Sequence, residues 1–480
     1  MSTISQKPGQ GFLSRKKDDT LSFGKTLATF IFTGPFWLFF LGTSVSQIAS
    51  TSVLLIQTIL LFYTSLMFTL EFRKPEPSPL VLMIWIFNCG VVGIPGLTQL
   101  LAGVGPWPIF LEDNQYIWAQ VSTIFASTLL ILLLGLPYQE KNRKMNVRNV
   151  NLIRLRNLTL IMVPAVLFAT RLSGGLSARF GSRGSVAKAK SQLGVGSAVN
   201  GLFVTGSQAL ALVVFILALR AKQKYPKDSL INFSLITSGF GLLILANPIS
   251  ASRYWFFATV SAIALSAFTL TASRVRIGSM AIFYGSLFLF PIADYFRRAN
   301  RGGLSISRKA WLTGDFDALQ ITAAGIQWFH NYGAVWGKQL LGAIFTFVPR
   351  SIWTGKPIDT GVMIAQDAGM KFKNISGPWV AEAVINFGYL GLIIFPVAIA
   401  YFFRIIQYRS AKFPDDFGIL LLAFFVGYLP ILLRGSLIQA SGAAGLFVIF
   451  VWYATPKKAI HRDDSGDLTI LGSRSSISRT

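Results

Sequence analysis

Long apolar stretches recur along the whole chain, and short polar segments separate most of them. Most stretches are about 20 residues long, which is the length that a helix needs to cross the hydrocarbon core of a bilayer. Lipid offers no hydrogen-bond partners, so every backbone N–H and C=O in such a stretch must be paired within it, as a helix allows. The pattern therefore predicts an all-α, polytopic integral membrane protein.

Hydropathy predicts about twelve spans along the chain. The predicted spans are 26–45, 51–70, 80–96, 117–136, 158–171, 198–219, 230–246, 254–273, 277–293, 383–403, 417–433 and 437–454. The chain then divides into an N-terminal tail (1–25), nine spans with a basic external loop at 172–197 (26–293), a long and partly helical external loop (294–382), three spans (383–454) and a C-terminal tail (455–480).

The distribution of charge predicts the orientation of these spans. Only 13% of the residues are charged, about half the share in a soluble domain, and the formal net charge is +25. Lys and Arg are concentrated in the short loops on one side, with the clearest cluster being Lys141, Arg143, Lys144, Arg148, Arg154 and Arg156. Positive charge in short loops marks the cytoplasmic side, so we expect both termini in the cytoplasm. Anionic lipid headgroups account for these residues, and nucleic acid is not expected as a partner.

Several other classes of chemistry have no motif in this chain. The phosphate-binding pattern GxxxxGK[ST] does not occur, so ATP hydrolysis is not expected. The single cysteine, Cys89, cannot form an intrachain disulfide, and no zinc-ligand spacing is found. We expect neither a metal nor a cofactor.

The external loop 172–197 combines basic residues with many glycines and contains no acidic residue. Arg179 and Arg183 could bind a phosphate group through their guanidinium forks, while glycine lets backbone N–H groups approach the same anion. The alternative is a flexible loop that touches the headgroups of the outer leaflet.

The long loop holds most of the remaining chemistry. Asp315 and Asp317 precede a stretch in which Phe316, Leu319, Ala323, Ile326 and His330 recur at helical spacing. Residues 339–348 are apolar but too short to span, which suits a segment that dips into the membrane interface. The loop continues with PRSIWTGKP, which contains Arg350 and Lys356, and ends with SGPWVAEAVINFGYLG, which contains Glu382.

These segments, together with GDFDAL at 314–319 and ANPISASRYW at 246–255, resemble the oligosaccharide repeat-unit polymerases, the Wzy-type O-antigen polymerase family. The likeness covers roughly residues 180–400. It implies a GT-C-like glycosyltransferase at the outer face of the cell inner membrane. Such an enzyme would join polyprenyl-pyrophosphate-linked oligosaccharide repeat units without nucleotide or ATP. A flippase and a chain-length regulator would be its partners.

Glycosyl transfer from such a donor needs a carboxylate base for the acceptor hydroxyl and cations for the departing pyrophosphate. We predict Glu382 as the base, the alternative being a structural ion pair with Arg350 or Lys356. Asp315 and Asp317 form the second choice, although a D-x-D can equally be a helix N-cap or a loop contact. The predicted pyrophosphate ligands are Arg179, Arg183, Arg253, Arg297, Arg350 and Lys356.

Other residues of the loop have weaker functional interpretations. Asp294 is a third carboxylate candidate, and His330 is the single histidine of the external segments. Four tryptophans could stack on sugar rings or anchor the chain at the interface: Trp328, Trp336, Trp353 and Trp379.

Two other functions remain open. An O-antigen ligase or related transferase would use the same donor, but it is expected to depend on a histidine of its large loop. A glycolipid transporter or flippase would carry ionisable groups at mid-membrane and paired repeats, whereas the charges here lie at span ends and no repeat is found.

Overall fold

The computed structural model describes residues 21–37, 50–137, 147–181, 185–186, 188, 197–268, 270–289, 308–412, 415–458, 460–462 and 468–470. Within these ranges the chain is an all-α bundle with two short pairs of antiparallel strands.

The first half of the described chain contains eleven helices and one short strand. They are α1 (Phe23–Thr33), α2 (Thr51–Arg73), α3 (Pro79–Phe87), α4 (Ile94–Ala102), α5 (Asp113–Gly135), β1 (Val147–Arg148), α6 (Leu152–Leu172), α7 (Gly175–Phe180), α8 (Ser197–Lys224), α9 (Ser229–Leu245), α10 (Arg253–Ala267) and α11 (Ala272–Tyr284).

The second half begins with two 3-10 turns, Arg308–Leu312 and Gly314–Phe316. The regular elements that follow are α12 (Ala318–Tyr332), α13 (Lys338–Ile344), α14 (Thr360–Asp367), α15 (Trp379–Phe387), α16 (Gly391–Lys412), α17 (Asp416–Arg434), α18 (Leu437–Ala454), β2 (Lys457–Lys458), β3 (Ile460–Arg462) and β4 (Leu468–Ile470). Strand β1 pairs with β2 and β3 pairs with β4, both antiparallel.

Eight helical stretches in the described residues are long and apolar enough to cross a membrane. They are Thr51–Arg73, Pro79–Ala102, Asp113–Gly135, Leu152–Leu172, Phe203–Lys224, Trp379–Ala411, Asp416–Arg434 and Leu437–Ala454. The shorter apolar helix Ser229–Leu245 lies where a further span was predicted. The predicted span 80–96 extends further than expected, because a π-helical turn, Asn88–Gly93, joins α3 to α4 without a break.

Polar side chains define where several of these helices begin. Asn151 accepts the backbone N–H of Arg154 at 3.1 Å ahead of α6, and Asp415 accepts that of Gly418 at 2.8 Å ahead of α17. Such caps satisfy backbone donors that the first helical turn leaves without a partner.

Helix α17 is at the centre of the bundle and is buried along most of its length. It packs along α10, where Gly427 allows close approach: a Cβ at this position would be 2.8 Å from the carbonyl oxygen of Ala258. On its other side the ring of Phe424 stacks on Phe447 of α18, with the centroids 3.7 Å apart. This packing fixes both ends of α17, which carry charged residues.

Loops from distant parts of the chain gather at two opposite ends of the bundle. At one end Asp416 forms ion pairs with Arg220 (3.3 Å) and Lys224 (3.0 Å), and Arg148 donates to the carbonyl of Thr455 at 2.7 Å. The other end carries residues 308–378 and is called the long-loop end below.

The described part of the long loop, residues 308–382, is more deeply packed than its polarity predicts. Helix α12 confirms the helical spacing, but the side chains of Ala318–Ile326 are buried on every face rather than on one stripe. In α13, by contrast, Leu341 and Ile344 are 48% and 57% exposed, which suits the predicted contact with the membrane interface.

Candidate functional site

Asp317 is the centre of a buried ion pair at the long-loop end. Its side chain is fully buried, and Oδ1 accepts from Nη2 of Arg434 at 2.9 Å. Oδ2 accepts from Nε1 of Trp107 at 2.7 Å and from the backbone N–H of Ser376 at 3.4 Å. Asp317 stands at the N-cap position of α12 but makes no capping hydrogen bond. Its partners lie in three other segments, so it ties the long loop to the helix bundle.

Asp315 forms a second ion pair beside the first. Its Oδ2 lies 2.7 Å from Nη2 of Arg253, at the start of α10. The hydroxyl of Tyr254 donates to the backbone carbonyl of Asp315 at 2.9 Å, and the guanidinium of Arg434 lies 5.0 Å from the centroid of the Tyr254 ring. Among the described residues no group of three or more His, Cys, Asp or Glu side chains is arranged to hold a metal. The two acids of the D-x-D are paired with arginines instead, Asp315 with Arg253 and Asp317 with Arg434.

Glu382 is fully buried in the first turn of α15. Its Oε1 accepts from Oγ of Ser436 and from the backbone N–H of Leu437, both at 3.0 Å. These donors form the start of α18, where the backbone N–H groups and the helix dipole favour negative charge. Glu382 makes no ion pair with Arg350 or Lys356, which was the structural alternative for it, since those cations bind elsewhere.

A second carboxylate, Asp359, lies beside Glu382. Its Oδ1 caps α14 by accepting the backbone N–H of Gly361 at 3.0 Å, and the side chain of Ser436 faces it. Burial raises the pKa of the Asp359 carboxyl, and hydrogen bonds from Ser436 and the start of α14 offset part of that rise. The backbone N–H of Thr360 donates to Oγ of Ser436 at 3.3 Å. Ser436 therefore stands between the two acids.

The chain from Arg434 to Ser436 joins the Asp317–Arg434 ion pair to Glu382, and residues 376–377 pack against it. The backbone N–H of Ser376 binds Asp317, and that of Gly377 donates to the carbonyl of Arg434 at 3.1 Å. We call the connected group the polar network, which consists of Arg253, Asp315, Asp317, Asp359, Ser376, Glu382, Arg434 and Ser436. It includes four residues that the sequence singled out (Arg253, Asp315, Asp317 and Glu382). The network is buried apart from Asp315, Asp359 and Arg434, which are partly exposed.

Arg350 and Lys356 lie in the loop between α13 and α14, on the segment that leads to Asp359. Arg350 donates to the carbonyls of Lys356 (2.6 Å) and Pro357 (2.8 Å). Lys356 donates to the carbonyls of Thr346 (2.7 Å) and Val348 (2.9 Å). Burial, with a smaller contribution from Arg350, lowers the pKa of Lys356. Neither cation forms an ion pair with any carboxylate in the described part of the chain.

The remaining predicted anion ligands do not join this group. Arg179 is buried in α7, where it donates to the hydroxyl of Ser173 at 2.6 Å, and burial lowers the pKa of its guanidinium to about 10. It shares no hydrogen bond with the polar network among the described residues. Arg183, Arg297 and Asp294 lie outside the described residues.

The other loop residues occupy varied environments. Nε2 of His330 lies 2.8 Å from the hydroxyl of Tyr389, in an exposed position outside the polar network. Trp379 is buried, whereas Trp336 is 73% exposed and adopts a left-handed backbone with φ of 49°. Trp328 packs against Tyr332, and Trp353 contacts Phe345 edge-on.

Four members of the network were not predicted as site residues: Asp359, Ser376, Arg434 and Ser436. Arg434 and Ser436 lie in the short connection between two apolar spans. An Arg at such a position must be paired or solvated, so the sequence could have identified Arg434 as a candidate. Asp359 follows Lys356-Pro357 and precedes a helix, which is an ordinary cap position. No pattern in the sequence connects it to Glu382.

Comparison with protein-family models, with curated proteins and with solved structures finds no match to this chain.

Proposed function

We propose that the chain is a glycosyltransferase that joins polyprenyl-pyrophosphate-linked oligosaccharide repeat units into a surface polysaccharide. The supporting observation is the convergence of three motifs, with the loop of a fourth packed nearby. ANPISASRYW contributes Arg253, GDFDAL contributes Asp315 and Asp317, and SGPWVAEAVINFGYLG contributes Glu382 to one polar network. The loop that carries PRSIWTGKP packs against the start of α18, where Oγ1 of Thr346 donates to the carbonyl of Ile438.

In this proposal Glu382 is the general base. The acceptor hydroxyl attacks the anomeric carbon of the donor sugar, and its proton passes to the carboxylate. The hydrogen bonds from Ser436 and Leu437 at the start of α18 favour the carboxylate form of Glu382, which is the form that a base needs. Because Glu382 is fully buried, the proposal requires the segments around it to open when the acceptor binds.

The leaving group in this proposal is the lipid pyrophosphate, which takes the electron pair of the broken C–O bond. We assign its binding to Arg350 and Lys356, whose donors contact neutral carbonyls that an anion can replace. Arg253 and Arg434 already neutralise Asp315 and Asp317, so we assign them to holding the site together.

The proposed setting is a GT-C-like bundle of twelve spans in the cell inner membrane. Both termini face the cytoplasm and the long-loop end faces outward, where lipid-linked units are delivered by a flippase and chain length is set by a separate regulator. The proposed reaction uses neither nucleotide nor metal.

The two alternatives have less support. A ligase would depend on His330, which lies outside the polar network and binds Tyr389. A transporter would need ionisable groups at mid-membrane, whereas the described acids that form ion pairs lie at helix ends.

A strain that lacks the gene for this chain tests the proposal. We expect its surface glycan to run as single repeat units on a gel, and the wild-type gene to restore the polymer ladder. Arg350→Ala and Lys356→Ala should restore it poorly at normal protein levels, since one lost donor to developing charge costs on the order of a hundredfold in rate. A full ladder in the deletion strain would contradict the proposal.

A further inference from the structure

The first turn of α13 has no capping side chain of its own. The residue before this helix is Gly337, which has a left-handed backbone with φ of 81° and no side chain to accept a hydrogen bond. The start of any helix leaves several backbone N–H groups without an intrahelical partner, and leaving such a group unpaired in a buried position is costly. The N–H groups at the start of α13 therefore need acceptors from another part of the chain.

Asn386, near the end of α15, provides two of these acceptors. Its side-chain Oδ1 accepts the backbone N–H of Leu340 at 3.1 Å, and its backbone carbonyl accepts the N–H of Gly337, also at 3.1 Å. Asn386 is 0% exposed, so solvent does not compete for these contacts. Asn386 thus takes the place of the missing cap and fixes the start of α13 to α15.

The other end of the Asn386 amide points to Glu382. Only the amide oxygen can accept the Leu340 N–H, so the amide nitrogen must face the opposite way. Nδ2 donates to the backbone carbonyl of Glu382 at 2.8 Å and lies 3.5 Å from the carboxylate oxygen Oε2. Residues four apart share one face of a helix, which brings these two side chains together.

The two oxygens of the Glu382 carboxylate therefore have different environments. Oε1 accepts the Ser436 hydroxyl and the Leu437 N–H, both at 3.0 Å, whereas Oε2 has the longer contact with Asn386. The weakly held oxygen is the better placed of the two to take up a proton. Asn386 decides where that oxygen points.

We propose that Asn386 is a positioning residue that holds Glu382 with Oε2 turned toward the acceptor. The proposal rests on the function proposed above, in which Glu382 is the general base. The acceptor hydroxyl gives its proton to Oε2 while its oxygen forms the bond to the anomeric carbon, and the bond to the pyrophosphate breaks with its electron pair. A base works only within hydrogen-bond reach of the proton, so displacing Oε2 slows the reaction without weakening substrate binding.

Asp359 is the charged neighbour that has to be considered beside this pair. It precedes Thr360, whose N–H donates to the Ser436 hydroxyl that binds Glu382. The other charged or titratable groups on the surrounding elements of the described chain bind elsewhere or are exposed: Asp317 with Arg434, His330 with Tyr389, Lys356 with two carbonyls, and the exposed Lys338 and Asp113. All of them are the same in wild type and in variants of Asn386, so a difference between these proteins reports on position 386.

Asn386→Asp separates the positioning role from the capping role. The new carboxylate still accepts the Leu340 N–H and caps α13, but it has no N–H to donate to Glu382. Two carboxylates this close hold a shared proton near neutral pH, which weakens the base. In vitro elongation by the full-length variant should therefore be slow near neutral pH and should recover as the pH is raised. A protein that has only lost its fold would not recover in this way.

Asn386→Ala removes both the acceptor and the donor. Its kcat should fall on the order of a hundredfold, because the reacting oxygen is misplaced. Its KM for the lipid-linked repeat unit should stay unchanged, because Asn386 does not touch the unit. Asn151→Ala is the matched control, since Asn151 also accepts one backbone N–H at 3.1 Å, that of Arg154 at the opposite end of the bundle. It should lower the melting temperature to a similar extent and leave kcat unchanged.

Wild-type kcat in Asn386→Ala, or a wild-type pH profile in Asn386→Asp, would overturn the positioning role even if the wild-type chain elongates the glycan. A raised KM with unchanged kcat would also overturn it, since Asn386 would then contribute to substrate binding. Absence of elongation by the wild-type protein would instead reject the proposed function.

Discussion

At the scale of single residues, the polar network is organised by buried charges that need ion-pair partners. Asp317 is fully buried and Arg434 is its ion-pair partner. Removing one member of such a pair leaves the other charge buried without compensation, which costs more than the pair itself contributes. Arg434 is therefore structurally important, although it was not predicted as a site residue.

Arg434→Ala should lower the free energy of unfolding by about 3–5 kcal/mol, because the Asp317 carboxylate remains buried. The double variant Arg434→Met with Asp317→Leu removes both charges and should recover most of that loss. Lys373→Ala, at an exposed position of the same end, should change stability by less than about 0.5 kcal/mol. Thermal unfolding in detergent measures all three, and a wild-type melting curve for Arg434→Ala would contradict the ion pair's role.

Lys356 gives a second prediction at this scale. Its pKa is lowered by burial and by Arg350, so its charge is lost at a lower pH than that of an exposed lysine. If this charge binds pyrophosphate, the transfer rate should fall as pH rises through the lowered pKa. Arg stays protonated to higher pH than Lys, so in Lys356→Arg the fall in transfer rate should begin at a higher pH. The exposed Lys338→Arg is the control, and superimposable profiles for wild type and Lys356→Arg would remove Lys356 from the reaction.

At the scale of elements, the sequence predicts eight apolar helices of membrane-crossing length from length and hydropathy alone. Helices α10 and α11 are shorter than the spans 254–273 and 277–293 that the sequence predicts there. The sequence predicts the long loop less well. The apolar spacing predicts helix α12. Its burial on all faces arises because α5, α14 and α15 pack around it, and this packing cannot be predicted from the local sequence. The site shows the same division: Glu382 and the D-x-D are visible as charges beside apolar runs, whereas Asp359 looks like an ordinary cap.

The start of α14 tests how tightly these elements fit. A Cβ on Gly361 would lie 2.4 Å from the carbonyl oxygen of Ile375 and 2.7 Å from that of Ser376. Gly361→Ala should therefore push α14 away from residues 375–376 and cost about 1–3 kcal/mol of stability. Gly355→Ala in the preceding loop, where the nearest atom is 3.9 Å away, should be neutral. Equal melting temperatures for the two variants would show that α14 is not held in this position.

At the scale of the whole molecule, the loops separate into two ends, and the proposed chemistry requires these ends to lie on opposite sides of the membrane. Cys89 is the single cysteine and is 1% exposed, so a maleimide should not label the wild-type chain. Lys373→Cys should react with a membrane-impermeant maleimide in intact cells. Lys227→Cys, exposed at the other end, should react only after permeabilisation. Labelling of Lys227→Cys in intact cells would reverse the proposed orientation.

The most direct test of the account is in vitro elongation by purified protein supplied with lipid-linked repeat unit. Glu382→Gln keeps the shape and the contacts with Ser436 and Leu437 but cannot take a proton, and loss of a general base costs about 10²–10⁴-fold in rate. Glu382→Asp keeps the charge with a shorter reach. The account predicts a polymer ladder from wild type, a trace from Asp, and only single units from a Gln variant that melts like wild type. Wild-type elongation by the Gln variant would contradict it.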